Sequence, residues 1–407
     1  MFRSDGGRLI FQGKAGDDVL PALAAMHNIT QKQGYRDVTL DFAGVTKFDA
    51  KFMIPLVTTC RSYRSSQVDF EIILPDDGTQ SRLFINTNWA HIIKPEKYDA
   101  NSKRGTNHLS AIIYSNGDEH FKAVDECMDV MLRNISGLNR SKLKALEWSL
   151  NEITDNVLNH SESSVGGIVQ VMTRPTSHMV DFYVCDSGIG IPKSLRSTRS
   201  DITDDSSALR AAINEGVTRN SKTNQGNGLF GTFKCCEVSG GQFDILSGYV
   251  RLHHEPGITN VTKNSIPFHG TFVRASINYD FDQLLEKALI FKGKPHDPGY
   301  DYVERIYMSS DTEVDFHLER EVNYFGSREA GRKARNKLNN LLDDRKNIIV
   351  FDFEGVNLIS SSFADEVFGK LFEEYGPISF SQLFKFKNVD LTVKKLIDRS
   401  ISQRMKL

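Results

Sequence analysis

The sequence predicts an α+β protein in which a central α/β sandwich lies between two small α/β domains. Residues 1–100 alternate strand-like and helix-like segments, whereas residues 111–282 place two helices before their strands. The pattern Asp-Phe-x-Gly-Val occurs at 41–45 and again at 352–356, each time before a helix-like segment. Alternating strands and helices are typical of a sheet backed by helices, and helices followed by strands are typical of an α+β sandwich. We therefore expect three domains, over residues 1–100, 111–282 and 300–407.

The composition excludes several classes of protein. The chain has 407 residues, of which 39% are hydrophobic and 25% charged, so it is neither disordered nor collagen-like. Its 50 basic and 52 acidic side chains give a net charge of -2, which provides no overall attraction to nucleic acid or to an anionic membrane. No apolar run approaches the roughly 18 residues of a membrane span, and the first residues lack the layout of a signal peptide. We therefore expect a cytoplasmic protein.

The first domain is predicted from five consecutive segments. They read RLIFQG, VLPALAAMHNITQKQG, DVTLDFAGV, FMIPLVTTCRSYRSS and VDFEIILPD, which alternate between strand-like and helix-like patterns. This βαβαβ order predicts a small sheet covered by helices. Residues 98–110 are polar and lack apolar periodicity, so they indicate a linker to the next domain.

The central domain is predicted to begin with two helices, FKAVDECMDVMLRNI and KLKALEWSLNEITDNVLNH. The strands GIVQVMT and MVDFYVCDSG follow, then a long polar loop, then the strands GQFDILSGYVRLHH and GTFVRASINY. The second helix carries apolar residues at spacings of three and four, which predict a stripe that packs on the sheet: Leu143, Leu146, Leu150, Ile153 and Val157.

Polar residues with the character of a ligand site lie beside that stripe and after the second strand. Glu152 and Asn156 are four residues apart on one edge of the helix, where a buried carboxylate or amide needs a ligand or partner; a half-exposed polar flank is the alternative. Asp186 ends a strand and is followed by Gly188 and Gly190. This arrangement lets the backbone pass close to a flat ligand while the carboxylate accepts a hydrogen bond from an exocyclic amine.

A glycine-rich segment and a threonine complete the pattern. Gly226, Gly228 and Gly231 in QGNGLFGTF run into a helix-like segment, and glycine turns at a helix start present N–H groups to phosphates. Thr271, in HGTFVRASI, begins a late strand.

These four motifs, in this order, resemble those of the Bergerat-fold (GHKL) ATPases, the family of gyrase, histidine kinases, MutL and the anti-sigma-factor serine kinases. NEITDN is similar to the family's N box, DSGIGIP to its first glycine box, GNGLFG to its second and GTF to the following threonine turn. The resemblance covers residues 120–280 and implies that the chain binds ATP and Mg2+.

The resemblance also implies roles for individual residues. Glu152 would be the general base, and Asn156 would bind Mg2+ together with the ATP phosphates. Asp186 would read the adenine amine, supported by Thr271.

A lid over the nucleotide is implied for residues 194–225, in which Arg219 and Lys222 are either phosphate contacts or solvated loop charges. Phe230 departs from the family pattern, which usually has glycine at this position, and we expect it to affect lid closure. We expect His160 to form a structural hydrogen bond.

Both ends of the chain resemble STAS domains, the fold of anti-sigma-factor antagonists, through DFAGVTKFDAKF and DFEGVNLISSSF. In that family the turn from strand to helix carries a serine that a partner kinase phosphorylates. The first copy has Asp49 and Ala50 at this place and therefore no hydroxyl. The second copy has three serines there, at 360–362, with Ser361 at the acceptor position; the triplet provides either a phosphoacceptor or an ordinary helix cap.

A helix of about 15 residues is predicted to start near Ser327 in the last domain. It carries several basic residues, which are either a nucleic-acid contact or a solvated helix face: Arg328, Arg332, Lys333, Arg335 and Lys337.

Three functions follow from these observations. The first is an ATP-binding signalling switch, with Mg-dependent ATPase activity, whose nucleotide state controls protein–protein interaction in bacterial regulation or phage defence. The second is a protein serine kinase that acts on Ser361 or on a partner's serine. The third is an interaction scaffold that holds ATP without catalysis. All three imply a protein partner for the STAS-like domains, and a homo-oligomer is a further expected assembly.

Overall fold

The fold is described from a computed structural model, which describes residues 2–16, 18–101, 110–217, 227–299, 301–342 and 347–405. Helices and several separate sheets are both present, which confirms the mixed α and β class. The chain divides into two compact units. The first unit comprises Met1–Cys127 and Trp148–Asp297, and the second comprises Met128–Glu147 and Pro298–Leu407. The three predicted domains stay a prediction.

Fourteen strands occur in the described residues. They are β1 Phe2–Asp5, β2 Arg8–Ala15, β3 Asp37–Phe48, β4 Asp69–Ile73, β5 Ile112–Tyr114, β6 Gly167–Arg174, β7 Met179–Asp186, β8 Gln242–Glu255, β9 Ile258–Asn278, β10 Ile290–Phe291, β11 Lys294–Pro295, β12 Glu313–His317, β13 Ile348–Asp352 and β14 Phe384–Lys387.

Sixteen α-helices occur in the same part of the chain. They are α1 Leu20–His27, α2 Ala50–Ser65, α3 Gly78–Asn86, α4 Trp89–Ile93, α5 Gly117–Asn134, α6 Arg140–His160, α7 Gly190–Arg196, α8 Asp205–Ala212, α9 Gly228–Val238, α10 Leu284–Ala288, α11 Tyr302–Tyr307, α12 Leu318–Glu321, α13 Arg328–Leu341, α14 Ser361–Ala364, α15 Lys370–Leu383 and α16 Leu391–Arg404. None of them is long and apolar enough to cross a membrane.

The beginning of the first unit is a four-stranded sheet in the order β1-β2-β3-β4. Strands β2, β3 and β4 run parallel, and β1 adds an antiparallel edge. Helix α2 begins after Asp49, whose carboxylate accepts the Lys51 N–H at 2.9 Å and thereby caps the helix. Aromatic rings fill the core, with Phe42 stacked on Phe11 at 4.8 Å and packed against Phe84 at 4.9 Å.

The rest of the first unit is built on a five-stranded antiparallel sheet in the order β5-β6-β7-β9-β8. Successive side chains of a strand point to opposite faces, and β7 is apolar on both of them. Val184 faces helix α6, whereas Tyr183 and Cys185 belong to one apolar cluster with the core of the four-stranded sheet. Helix α2 accordingly packs against β6 and β7. The five-stranded sheet is therefore covered on both faces.

The polar loop predicted between β7 and β8 is partly helical, which corrects the sequence analysis. Helix α8 forms there because Asp204 accepts the Ser207 N–H at 2.7 Å, while the Ser207 hydroxyl lies 3.2 Å from the Asp204 N–H. This capping box satisfies free N–H groups of the first turn. The signal was present in the sequence as DDSS before an alanine-rich segment.

The second unit contains a parallel sheet in the order β12-β13-β14. Helix α13 starts as predicted, with the Ser327 hydroxyl accepting the Ala330 N–H at 3.2 Å. Its basic residues form a solvated face only in part, since Arg328 and Arg332 are exposed and the other three are partly or fully buried. Lys337 is 1% exposed and pairs with Asp129 and Glu321, and most of the other basic residues have acidic partners as well. Most of the positive charge on this helix is therefore paired with carboxylates, so the helix lacks the unpaired basic face that a nucleic-acid contact would need.

Candidate functional site

A cleft in the first unit brings together most of the residues singled out in the sequence. The space between its lining residues amounts to about 830 Å3, part of which is open solvent. The cleft is surrounded by helix α6, the end of β7, helix α7, the start of helix α9 and strand β9. Its lining residues are Ile153, Asn156, Val157, His160, Ser161, Val184, Asp186, Gly190, Ile191, Ser194, Leu195, Ala212, Val217, Gly228, Leu229, Thr271 and Val273.

Asp186 lies at the floor of this cleft, at the last position of β7. It is 4% exposed, and its Oδ1 accepts the Gly188 N–H at 2.7 Å. Burial raises the pKa of this carboxyl to about 7, although backbone donors at Gly188 and Thr271 counteract the rise. The group therefore stays close to half-ionised near neutral pH, and one more donor would favour its charged form.

Thr271 is the register partner of Asp186 on strand β9. Its hydroxyl lies 3.3 Å from the hydroxyl of Ser247, which donates to the Gly270 carbonyl at 2.7 Å and accepts the Ile191 N–H at 3.0 Å. Sequence reasoning missed Ser247. The available signal was a serine inside the apolar run of β8, where a buried hydroxyl requires partners.

The first glycine motif forms a turn that fits tightly against the end of helix α6. A Cβ at position 188 would lie 2.0 Å from the Ser161 carbonyl oxygen, so only glycine fits there. The same oxygen accepts the Ile189 N–H at 2.7 Å. Gly190 has a φ of +77°, in the left-handed region that favours glycine. The spaced glycines thus allow the turn to approach α6 closely.

Glu152 lies on helix α6, beside the cleft and close to Gly228, the first residue of helix α9. A Cβ at position 228 would lie 2.1 Å from Glu152 Oε2, so Gly228 leaves room for the carboxylate. Burial, and then the charge of Asp155, raises the pKa of Glu152 to about 7. A carboxyl with this pKa accepts protons readily near neutral pH, as a general base must.

Asn156 lines the cleft one helical turn after Glu152. Its amide oxygen is a hard donor of the kind that Mg2+ accepts, usually together with water and phosphate oxygens. No cluster of three or more His, Cys, Asp and Glu side chains that could hold a metal exists within the described ranges. A metal held at Asn156 would therefore need water or phosphate oxygens as its other ligands.

The second glycine motif lies at the start of helix α9, and its residues make different contacts. Gly228 and Leu229 line the cleft. Gly231 faces the Trp148 ring, since a Cβ there would lie 2.2 Å from a ring carbon. Phe230 is not among the lining residues, and its ring lies 6.2 Å from that of Phe291. The bulky residue is thus accommodated beside the cleft.

Part of the predicted site falls outside the described residues, namely Gly226, Lys222 and Arg219. Of the predicted lid over 194–225, the described part contains the end of α7 and all of α8. It contributes Ser194, Leu195, Ala212 and Val217 to the lining, positions that the sequence analysis had not singled out.

Ser361 lies in the second unit and is exposed at the first residue of helix α14. The cap of this helix is the preceding residue, because the Ser360 hydroxyl accepts the Phe363 N–H at 3.0 Å. One serine of the triplet at 360–362 is therefore an ordinary helix cap, and it is Ser360. The hydroxyl of Ser360 also lies 3.0 Å from that of Ser362.

Comparison with known families matches residues 330–394 to a STAS-like domain of unknown function, DUF4325. This supports the STAS-like resemblance of the last part of the chain. No Bergerat-fold ATPase family matches. None of the curated proteins is similar to this chain.

Proposed function

We propose that the chain binds ATP with Mg2+ in the cleft of the first unit and acts as a nucleotide-controlled signalling switch. The observation that carries this proposal is the convergence of Asn156, Asp186, Gly190, Gly228 and Thr271 on one cleft. These residues are scattered over more than a hundred positions of the sequence, and they came from four separate motifs.

The cleft suits an adenine base at its inner end. Ile153, Val184 and Leu195 supply apolar surface for a flat ring, and Asp186 supplies an acceptor at the floor. A hydrogen bond from the exocyclic amine to a carboxylate is charge-assisted and stronger than one to a neutral acceptor. Asp186 would therefore give the cleft its preference for adenine over guanine.

The phosphates would lie toward the start of helix α9. This helix spans 11 residues, and its first N–H groups have no partner within the helix. Asn156 would hold Mg2+, which neutralises phosphate charge when bound. Glu152, beside Gly228, would accept a proton from the attacking water or hydroxyl.

Calorimetric titration with ATP and Mg2+ tests the binding proposal. Wild type is expected to bind, and Asp186→Asn to bind at least tenfold more weakly, about 1.4 kcal/mol, because asparagine offers a neutral acceptor. Asp37→Asn, an exposed position at the start of β3, is the control and should bind like wild type. Equal, weak binding by wild type and Asp186→Asn would refute the proposal.

A protein serine kinase is the second candidate, favoured by the exposed hydroxyl of Ser361 beside a separate capping serine. Incubation with ATP and Mg2+ followed by mass mapping separates the possibilities. Phosphoserine that disappears in Ser361→Ala but persists in Ser360→Ala would support self-phosphorylation. Free phosphate without phosphoserine would indicate an ATPase, and binding without either product would indicate a scaffold.

The signalling part of the proposal rests on the STAS-like match at residues 330–394. Domains of this kind often mediate contacts between proteins, so we propose that this region binds a protein partner. Size-exclusion chromatography with and without ATP tests whether the nucleotide changes self-association.

A further inference from the structure

A tight loop over residues 161–166 connects helix α6 to strand β6, and its first residue, Ser161, lines the cleft. The Ser161 hydroxyl donates to the Val157 carbonyl at 2.6 Å and accepts the Ser163 N–H at 3.0 Å. The Ser163 hydroxyl donates to the Gly166 carbonyl at 2.7 Å. These bonds tie the loop to itself and to the helix.

The loop also holds the first glycine turn. Its Ser161 carbonyl accepts the Ile189 N–H at 2.7 Å, and it leaves no space for a side chain at position 188. The Gly188 N–H in turn donates to Asp186. A displacement of the loop would therefore shift the turn that orients the carboxylate on the floor of the cleft.

The Arg61 side chain, from the N-terminal part of the first unit, reaches this loop. Arg61, on helix α2, donates from Nη1 to the Val165 carbonyl. The guanidinium is partly buried, and burial lowers its pKa while the charge of Glu119 opposes that change. A desolvated guanidinium with a directional bond to a carbonyl restrains the loop more strongly than a solvated one would.

We propose that Arg61 is a positioning residue for the cleft, which it reaches through the 161–166 loop and the glycine turn at 188–190. The N-terminal residues that carry helix α2 thereby set the affinity of the cleft for its ligand. This role of Arg61 rests on the proposed ATP site, and it means that a residue outside the cleft influences the affinity of the cleft for the nucleotide. It makes the N-terminal part of the chain a regulator of nucleotide binding.

The first test compares three variants of the full chain. Arg61→Ala is expected to raise the Kd for ATP with Mg2+ about fivefold, the low end of coupling between sites, and to raise KM with kcat nearly unchanged. Arg61→Lys keeps a cationic donor and should recover part of the affinity. Arg64→Ala is the matched control, since Arg64 lies on the same helix but pairs with Glu96 at 3.1 Å.

The second test needs no nucleotide. Hydrogen exchange of the Ile189 amide should be faster in Arg61→Ala than in Arg64→Ala, because the loop that holds this amide is released. A double-mutant cycle with Ser163→Ala should be non-additive, since both changes loosen one loop.

The outcomes separate the two proposals. Binding by wild type with equal Kd and equal Ile189 exchange in Arg61→Ala and Arg64→Ala would overturn the role of Arg61 and leave the ATP site standing. Absence of ATP binding in wild type would overturn the proposed function and this inference with it. A loss of thermal stability in Arg61→Ala with unchanged Kd would mean that the residue only supports packing, which also overturns the inference.

Discussion

Replacing Asp186 by asparagine is expected to stabilise the nucleotide-free protein while it weakens ATP binding. The carboxyl is 4% exposed, and it accepts hydrogen bonds from the backbone N–H groups of Gly188 and Thr271. At neutral pH and above, folding therefore has to bury a negative charge, and the described residues form no ion pair with it. Asparagine keeps an acceptor oxygen for these donors and removes the charge.

The magnitude follows from the pKa. A rise from the ordinary value of 3.8 to about 7 corresponds to about 4 kcal/mol of unfavourable free energy when the group is fully ionised. The buried amide NH2 of asparagine costs about 1–3 kcal/mol in return. Asp186→Asn should therefore be more stable than wild type by about 1–3 kcal/mol at pH 8.

The sign of the pH dependence is also determined. Because the folded pKa of Asp186 lies above the unfolded one, wild type carries no penalty below pH 3.8, a growing penalty up to about pH 7 and the full penalty above it. At pH 5 only about 1.6 kcal/mol of penalty remains in wild type, so the two proteins should have nearly equal stability.

Urea unfolding followed by tryptophan fluorescence measures this difference, since both tryptophans of the chain, Trp89 and Trp148, lie in the first unit. The control is Asp181→Asn on the same strand, where the carboxylate pairs with Arg174 at 2.6 Å and Arg274 at 3.0 Å. This variant should be less stable than wild type. The reasoning is refuted if Asp186→Asn is destabilised at pH 8, or if its advantage is the same at pH 5 and pH 8.

Three further predictions concern catalysis and the second unit. Glu152→Gln should keep ATP binding but lose hydrolysis or transfer. Wild-type turnover should rise with pH to a plateau above about pH 7, because Glu152 must be ionised to act as the base, and at pH 6 it should be about a tenth of that plateau. A rate that falls as the pH rises contradicts this role. Gly228→Ala should displace the Glu152 carboxylate and lower kcat at least tenfold, whereas Gly78→Ala, with open space around it, should not. Lys337→Met should leave Asp129 and Glu321 with Arg133 as their one remaining cationic partner among the described residues, at 2.7 Å from Asp129, and this excess of buried negative charge should destabilise α13 by about 3 kcal/mol in hydrogen exchange; unchanged exchange would contradict it.

Much of the candidate site could be predicted because its residues sit at positions where local sequence dictates local structure. The stripe of Leu143, Leu150 and Val157 fixes the face of helix α6 that packs, and so fixes the edge on which Asn156 lies. Asp186 could be assigned to a strand end because glycines follow it. The spacing of the glycines predicted that the backbone passes close to a neighbouring group, and in the structure Gly188 lies against the backbone of Ser161.

Other contributions could not be predicted, because they depend on segments that meet only in the folded chain. Ser247 belongs to a strand with no recognisable motif, and its hydroxyl matters only because the Gly270 carbonyl and the Ile191 N–H lie next to it. Arg61 looks like any charged residue on an amphipathic helix. Lys337 was expected on the surface, yet Asp129, more than two hundred residues earlier, provides the countercharge that allows its burial.

The apolar cluster that joins the two sheets of the first unit limits how the chain can be divided. A shortened chain that starts at residue 110 would expose Ile168, Tyr183, Phe268 and Phe272 on one sheet face, together with Cys185 and Leu246. Exposed apolar surface of this kind promotes aggregation. The polar sequence at 98–110 suggests a domain boundary at which the chain could be truncated. Residues before and after it nevertheless belong to the same compact unit.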